Sequence, residues 1–179
     1  MTTIDLPPSD IADRWREQEA AIRVKWGEPG TIPLETMKTM SGMEVFTAIR
    51  DGRLPTPPIG RVLDFIAIEF EYGRIVFQGT PRKEHYNPLG SVHGGYAATL
   101  LDSCVGCAVH TTLPAGKGFT TLELKVNYVR GMTEKTGPVR AEGKIISVGN
   151  QVATAEGRLT DSAGKLLAFA TTTCLVFPI

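Results

Sequence analysis

The fold is decided by residues 92–112, whose sequence is VHGGYAATLLDSCVGCAVHTT. This segment is mostly apolar and shows no alternation of apolar and polar residues. Its alanine, cysteine and glycine content suits tight burial, so the segment predicts one long helix packed against a sheet. The run Asn87-Pro88-Leu89-Gly90-Ser91 precedes it, His93-Gly94-Gly95 opens it, and Asp102 follows nine residues after His93.

The start of this helix and its one carboxylate are the candidate chemical groups. A helix start exposes backbone N–H groups, which bind anions and developing oxyanions. Asp102 interrupts Leu100-Leu101 and Ser103-Cys104-Val105, and a carboxylate in such apolar surroundings is costly unless it is paired or functional. Together the two features predict a site for attack on a carbonyl group.

The segments on both sides of the helix alternate with the period of two that is typical of strands. Two strands are predicted between residues 61 and 80, joined by a turn at Tyr72-Gly73. Four more are predicted at 119–130, 138–148, 151–160 and 165–177, with Gly149-Asn150 as a two-residue hairpin. In residues 119–130, two opposite faces are predicted: Leu122, Leu124, Val126 and Tyr128 on one, and Thr121, Glu123, Lys125 and Asn127 on the other.

The resulting order, β-β-α-β-β-β-β, predicts an α+β fold with a mainly antiparallel sheet and one long helix. Residues 1–60 are predicted to form an N-terminal helical arm, and residues 61–179 the main domain. Within the arm, Ser9 is the expected N-cap of a helix to about Trp26. Ser41-Gly42-Met43-Glu44 is a capping box for a second helix that stops at Asp51-Gly52, and the Pro-rich residues 53–60 are expected to be extended.

Bulk composition excludes several classes of function. The chain has 179 residues with 19 basic and 19 acidic side chains, and no basic run interleaved with aromatic residues, so nucleic acid is not an expected partner. No apolar run reaches the roughly 20 residues of a membrane helix, and the N-terminus does not resemble a signal peptide. Three cysteines without disulfide spacing favour a reducing, cytoplasmic location.

Helix geometry separates the two candidate groups. Nine residues turn a helix through about 900° and advance it by about 13.5 Å, so His93 and Asp102 point to opposite faces if both lie on the helix. A single chain then does not bring them together. The sequence therefore predicts a homodimer whose sites lie at the subunit interface, provided that His93 does not lie in the helix cap.

Each candidate residue also has a purely structural interpretation. Gly94-Gly95 is explained by close packing at a helix entry, although two adjacent glycines cost about 1–2 kcal/mol of helix stability. A lone His93 is more often structural than catalytic, and Asn87 before Pro88 is a good turn former. Asp102 is alternatively a buried carboxylate bonded to an amide or a lysine. Thr121 is alternatively an ordinary strand residue.

Cys104, Cys107 and His110 have a spacing that suggests a metal or redox site. The C-x-x-C step lies within the helix, however, and not at its N-terminus, where thiolates are stabilised. No second ligand pair is evident elsewhere. We therefore expect small buried cysteines on a packed helix, and no metal or separate cofactor.

The run NPLGSVHGGYAATLLD, the strand TTLELKVNYVR and the order of elements resemble the hotdog-fold acyl-CoA thioesterases. The most similar subgroup is the phenylacetate-degradation type, which is grouped with the 4-hydroxybenzoyl-CoA thioesterases. The resemblance covers residues 61–177. It implies a sheet wrapped around the long helix, a homodimer formed by sheet edges, and tetramers made of two dimers. Coenzyme A would be part of the substrate.

The resemblance also implies roles for individual residues. Asp102 would be the general base or nucleophile, Asn87 and His93 would position the water and the thioester, and the Gly94 N–H would polarise the thioester carbonyl. Thr121 would hold the water or the carboxylate. Asp102 and Thr121 would come from the opposite subunit to Asn87 and His93. Substrate-binding positions would be Gly95, Thr120, Leu122 and Arg130.

One departure from the family pattern concerns coenzyme A binding. Family members often have Arg-Pro-Ala after this strand, whereas this chain has Arg130-Gly131-Met132. Arg130 is therefore either a phosphate contact or a solvated strand-end residue.

Three functions fit these observations. The first is hydrolysis of an acyl-CoA thioester, with no preference evident among aromatic, medium-chain and short-chain acyl groups. The second is hydration or dehydration of an acyl thioester, and the third is a non-catalytic acyl-CoA sensor or binding module. The combination of Asp102, Asn87 and His93 favours an enzyme, because a binding module has no need of a buried base.

Overall fold

The computed structural model describes residues 8–179, which form five helices and six strands. The helices are α1 (Pro8–Arg23), α2 (Leu34–Thr39), α3 (Gly42–Arg50), α4 (Pro58–Val62) and α5 (Gly94–His110). The strands are β1 (Phe65–Glu71), β2 (Arg74–Gly79), β3 (Lys117–Tyr128), β4 (Val139–Val148), β5 (Val152–Asp161) and β6 (Leu166–Pro178). Two short 3-10 helices lie at Lys83–His85 and Glu134–Thr136.

The six strands form one antiparallel sheet in the order β1-β2-β4-β5-β6-β3. The sheet curves around α5, which contacts β2, β3, β4, β5 and β6. This confirms the predicted α+β architecture and the β-β-α-β-β-β-β order, and it is the arrangement that the hotdog resemblance implies. In the part of the chain that the structure describes, β1 and β3 are the two sheet edges, so β3 has a partner strand on one side only.

The helix lies close to the sheet because glycine leaves room for it. A Cβ atom on Gly143 of β4 would lie 2.1 Å from the Cys104 carbonyl oxygen of α5. Leu100, Leu101, Val105 and Val109 of α5 are fully buried in the resulting core. The apolar character of residues 92–112 is thus explained by contact with the sheet around most of the helix.

Helix α1 covers the other face of the sheet. Ile75 and Phe77 of β2 belong to the core around α5, so the alternating Gln78 points to the opposite face. There the Gln78 side chain donates hydrogen bonds to the Trp15 carbonyl oxygen at 3.0 Å and to the Glu19 carboxylate at 2.7 Å. Arg140 stacks over the Trp15 ring at 4.3 Å. Polar contacts therefore fix the first helix on the sheet.

The capping-box prediction for α3 is confirmed. Ser41 is the N-cap, its hydroxyl accepts from the Glu44 N–H, and the Glu44 carboxylate accepts from the Ser41 N–H. The helix ends at Arg50, with Asp51 as its C-cap.

Other local predictions were wrong. Ser9 lies within α1 and is not its N-cap, and the helix ends at Arg23 and not near Trp26. Residues 58–62 form α4 and are not extended, because a proline at the first helical position is compatible with helix. The β4–β5 connection is longer than a two-residue hairpin, since Val148 pairs with Ala153. Residues 1–8 are polar and end in two prolines, which predicts a loose segment, and this expectation falls almost wholly outside the described residues.

Helix α2 was not predicted. Its N-cap is Pro33, which makes no side-chain cap hydrogen bond, so no capping residue marks its start. Within residues 8–179, no helix combines the length and the apolar character needed to cross a membrane.

Candidate functional site

His93 is the N-cap of α5. Its backbone is extended (φ −60°, ψ 137°), and its Nδ1 accepts a hydrogen bond from the Gly95 N–H at 2.8 Å. Because Nδ1 is an acceptor, the neutral ring carries its proton on Nε2. His93 is exposed, so Nε2–H is available as a donor. His93 therefore suits hydrogen bonding to a carbonyl oxygen better than proton abstraction through Nδ1.

Gly94 is the first residue of α5. Its N–H has no acceptor within residues 8–179, as is usual for the first N–H groups of a helix. The Tyr128 hydroxyl donates to the Gly94 carbonyl oxygen at 3.2 Å. A Cβ atom on Gly94 would lie 3.1 Å from the Tyr128 ring. This N–H is a suitable donor for a carbonyl oxygen that gains negative charge.

The close-packing interpretation of the two glycines is also supported. A Cβ atom on Gly95 would lie 2.9 Å from the His93 Nδ1, and Tyr128 crowds Gly94. Both glycines thus allow the capped helix start to form, whatever its chemistry. Gly95 is exposed beside this start.

Asn87 builds the loop before α5. Its Oδ1 accepts from the Leu89 N–H at 2.9 Å and from the Ser91 N–H at 3.3 Å. Its Nδ2 donates to the Ser91 hydroxyl at 3.1 Å. Most of the hydrogen-bonding capacity of the side chain is used within the loop, which makes Asn87 a residue that shapes the approach to the helix start.

Asp102 is hydrogen-bonded to Thr121. The Thr121 hydroxyl donates to Asp102 Oδ1 at 3.0 Å. Within residues 8–179, no lysine, arginine or histidine pairs with Asp102, and its Oδ2 has no hydrogen-bond partner. A half-buried carboxylate held by one neutral hydroxyl keeps lone pairs free to accept a proton.

A β-bulge brings Thr121 to the helix. Thr121 pairs with Cys174, whereas Glu123 pairs with the adjacent Thr173, so Leu122 is the extra residue in β3. The predicted faces of this strand were therefore wrong at Thr121. It shares the helix-facing side with Leu124 and Val126, which pack against the core, while Leu122 is 58% exposed.

The two halves of the candidate site lie in separate grooves. The groove at Asp102, of about 480 Å³, is lined by Ile59, Ala98, Thr99, Thr121, Leu122, Glu123 and Leu124. The groove at the helix start, of about 270 Å³, has no residue in common with it and includes Gly94, Ala97, Tyr128, Arg130 and Met132. His93 lines neither groove, and because it lies in the helix cap, helix geometry does not place it opposite Asp102. The separation of the two grooves is what keeps Asp102 from the helix start within one chain. Ile59 was not predicted as a site residue, because nothing in the sequence pattern links residues 58–62 to Asp102.

The other predicted substrate-binding residues lie near these grooves. Thr120 is exposed on β3 next to Thr121. Arg130 is exposed, and its guanidinium donates to the Leu166 carbonyl oxygen at 2.7 Å. Arg130 also lines the groove at the helix start.

Of the two α5 cysteines, Cys104 is buried and Cys107 is half-buried. Burial, and next the charge of Asp102, raises the pKa of Cys107 to about 12. Burial also raises the pKa of Cys104 well above its usual value. Within residues 8–179, no group of three or more histidine, cysteine, aspartate or glutamate side chains is arranged to hold a metal ion.

Comparison with known proteins identifies the family. The family model of the thioesterase superfamily matches residues 89–168. A Saccharolobus solfataricus protein that is named as a proposed esterase is 36% identical over 113 residues. The match covers 63% of this chain and 78% of that protein.

Solved structures agree with this match. A phenylacetic acid degradation-related protein of Ralstonia eutropha JMP134, described as a proposed thioesterase, has a TM-score of 0.67 and 27% identity, covering 73% of this chain and 98% of its own. A Streptococcus mutans UA159 protein solved with acetyl-CoA has a TM-score of 0.58 and 25% identity, covering 64% of this chain and 89% of its own. The chain belongs to the thioesterase superfamily.

Proposed function

We propose that the chain hydrolyses acyl-CoA thioesters. The observation that carries this proposal is the Asp102 carboxylate, which faces a groove, has no cationic partner within residues 8–179 and is held by the Thr121 hydroxyl. Membership of the thioesterase superfamily supports thioester hydrolysis in general. The acetyl-CoA in the Streptococcus mutans structure supports coenzyme A as the thiol part of the substrate.

In the proposed reaction Asp102 is a general base. It takes a proton from a water molecule as the water oxygen attacks the carbonyl carbon of the thioester. The carbonyl oxygen becomes an oxyanion and accepts hydrogen bonds from the Gly94 N–H and from His93 Nε2–H. Collapse of this intermediate breaks the carbon–sulfur bond, and the proton held by Asp102 passes to the departing sulfur. The products are a carboxylic acid and free coenzyme A.

The proposed site requires two copies of the chain. Tyr128 of β3 contacts Gly94 and Thr121 contacts Asp102, so α5 and β3 run in opposite directions past each other. Among residues 8–179, no strand pairs with the outer edge of β3. Antiparallel pairing of two such edges, centred near Leu124, would place Asp102 of each copy beside the helix start of the other. This pairing accounts for the two separate grooves, and tetramers would then form from two dimers.

A thiol-release assay with a panel of acyl-CoA substrates tests the activity. We expect free coenzyme A to appear, with loss of most turnover in Asp102→Asn. Loss of enoyl-CoA absorbance without thiol release would instead indicate a hydratase. Binding without either signal would indicate a non-catalytic acyl-CoA module.

Complementation tests the shared site. Asp102→Asn and Gly94→Val should each be inactive, since the valine side chain would block the helix start. In a dimer with shared sites, a heterodimer of the two variants contains one site with neither substitution. Co-expression at equal levels should therefore restore about a quarter of wild-type activity. A mixture that stays inactive while co-purification of the two differently tagged variants shows heterodimers would refute the shared site.

A further inference from the structure

A largely enclosed apolar cavity of about 80 Å³ lies between the N-terminal helices and the edge of the sheet formed by β1 and β2. Its lining is rich in aromatic side chains, namely Trp26, Phe46, Phe65, Phe70 and Phe77. Arg50 is the one charged residue of the lining. Its guanidinium lies 5.1 Å from the centre of the Phe70 ring and pairs with Asp51 at 3.3 Å. The cavity therefore suits an uncharged apolar group.

The N-terminal helices form much of the cavity wall, and close contacts hold them there. A Cβ atom on Gly42, at the start of α3, would lie 1.8 Å from the His110 carbonyl oxygen at the end of α5. Phe46 of α3 packs against Phe70 of β1 and against the His110 ring, with ring centres 5.8 Å and 5.4 Å apart. The arm thus spans from the β1 edge of the sheet to α5.

Helices α4 and α5 each contribute residues both to this cavity and to the groove at Asp102. Ile59 of α4 lines the groove, while its neighbours Pro57 and Gly60 line the cavity. On α5, Cys107 lines the cavity. It follows Asp102 by five residues, which is about 7.5 Å along the axis and about 140° around it. Groove and cavity therefore lie on different sides of α5, and α4 contributes a residue to the lining of each.

We propose that this cavity holds the tail of the acyl group, so that the enzyme prefers uncharged apolar acyl groups longer than acetyl. This inference rests on the proposed thioesterase function. With the thioester carbon at Asp102, the acyl chain would pass between α4 and α5 and end among the aromatic side chains. The N-terminal arm then determines acyl specificity, because it supplies Trp26, Phe46 and α4.

Tryptophan fluorescence tests occupancy of the cavity without requiring turnover. The chain has two tryptophans: Trp26 lines the cavity, and Trp15 lies on the other face of the sheet under Arg140. In the Asp102→Asn background, hexanoyl-CoA should change the emission, and acetyl-CoA and free coenzyme A should change it much less. The change should vanish in Trp26→Phe and persist in the matched control Trp15→Phe. A change that persists in Trp26→Phe, or no change at all, would overturn the inference.

Chain-length preference tests the same cavity in the active enzyme. Ala67→Leu adds volume to the lining of the cavity, and the hexanoyl-to-acetyl ratio of kcat/KM should fall by about tenfold. Ile49→Ala enlarges the cavity, and the hexanoyl-to-acetyl ratio of kcat/KM should rise. The matched control Ile146→Ala, at a position 57% exposed, should keep the wild-type ratio. An unchanged ratio in both folded lining variants would overturn the inference.

The two proposals fail in different ways. If the wild type releases no thiol from any acyl-CoA, the proposed hydrolysis is refuted, and the Trp26 signal still decides whether an acyl chain occupies the cavity. If thiol is released but both lining variants keep the wild-type ratio, only the acyl-tail cavity is refuted.

Discussion

Thr121 reaches Asp102 only because β3 contains one extra residue. The Thr121 hydroxyl donates to the Asp102 carboxylate at 3.0 Å, and the bulge at Leu122 turns Thr121 toward α5. Without the bulge, strict alternation would put Thr121 on the opposite face from Leu124. The local irregularity of the strand therefore creates the contact on which the proposed chemistry depends. Bulges often re-aim side chains next to active sites in this way.

Replacing Asp102 by asparagine should lower kcat by at least about a hundredfold, the usual contribution of a general base. The fold should survive, because asparagine has nearly the same shape and can still accept from Thr121. Thiol release measures the rate, and circular dichroism checks the fold. Asp13→Asn, at an exposed position on α1, is the matched control. Near-wild-type turnover in Asp102→Asn would refute the role of this residue.

Replacing Thr121 by valine keeps the shape of the side chain and removes the hydroxyl. We expect kcat/KM to fall by about tenfold, since a hydrogen bond to a charged group contributes about 1.5 kcal/mol. Thr121→Ser should retain most of the activity. If Thr121→Ser were as impaired as Thr121→Val, the methyl group and not the hydroxyl would be the important feature.

The main elements could be predicted because their signals are long or chemically specific. The 17-residue helix α5 carries a mostly apolar pattern, and the Ser41–Glu44 capping box marks the start of α3. In strands such as β5 and β6, buried residues alternate with more exposed ones over most of the length. In each case local propensity and tertiary burial favour the same structure.

In the parts that were predicted wrongly, local propensity and tertiary contacts do not favour the same structure. The bulge at Leu122 depends on how β3 pairs with β6, and pairing is not visible in the sequence of β3 alone. The Pro57-Pro58 step of α4 is equally typical of extended chain, so its helix depends on packing. Ile59 could not be placed near Asp102 for the same reason.

Tyr96 carries a buried hydroxyl with no hydrogen-bond partner within residues 8–179. Its ring stacks on His85 at 4.3 Å, a contact that phenylalanine can preserve. Because an unsatisfied buried polar group costs about 1–3 kcal/mol, Tyr96→Phe should leave stability unchanged or raise it by up to about that amount. Urea denaturation measures the free energy of unfolding, with Tyr72→Phe, at a residue 73% exposed, as control. A clear loss of stability in Tyr96→Phe alone would show that the hydroxyl has a partner in solution.

His110 should make the fold sensitive to mild acid. It lies between Phe46 and Phe119, with ring centres 5.4 Å and 5.5 Å away, and burial lowers its pKa below the usual 6.5. The unfolded chain then binds the proton more readily, so the free energy of unfolding should fall as the pH drops below 6.5. His110→Phe should make this fall less steep. The remaining slope should include a contribution from His85, whose pKa is also lowered by burial. Urea titrations between about pH 7.5 and 5.5 measure both slopes, and equal slopes in wild type and His110→Phe would contradict the assignment to His110.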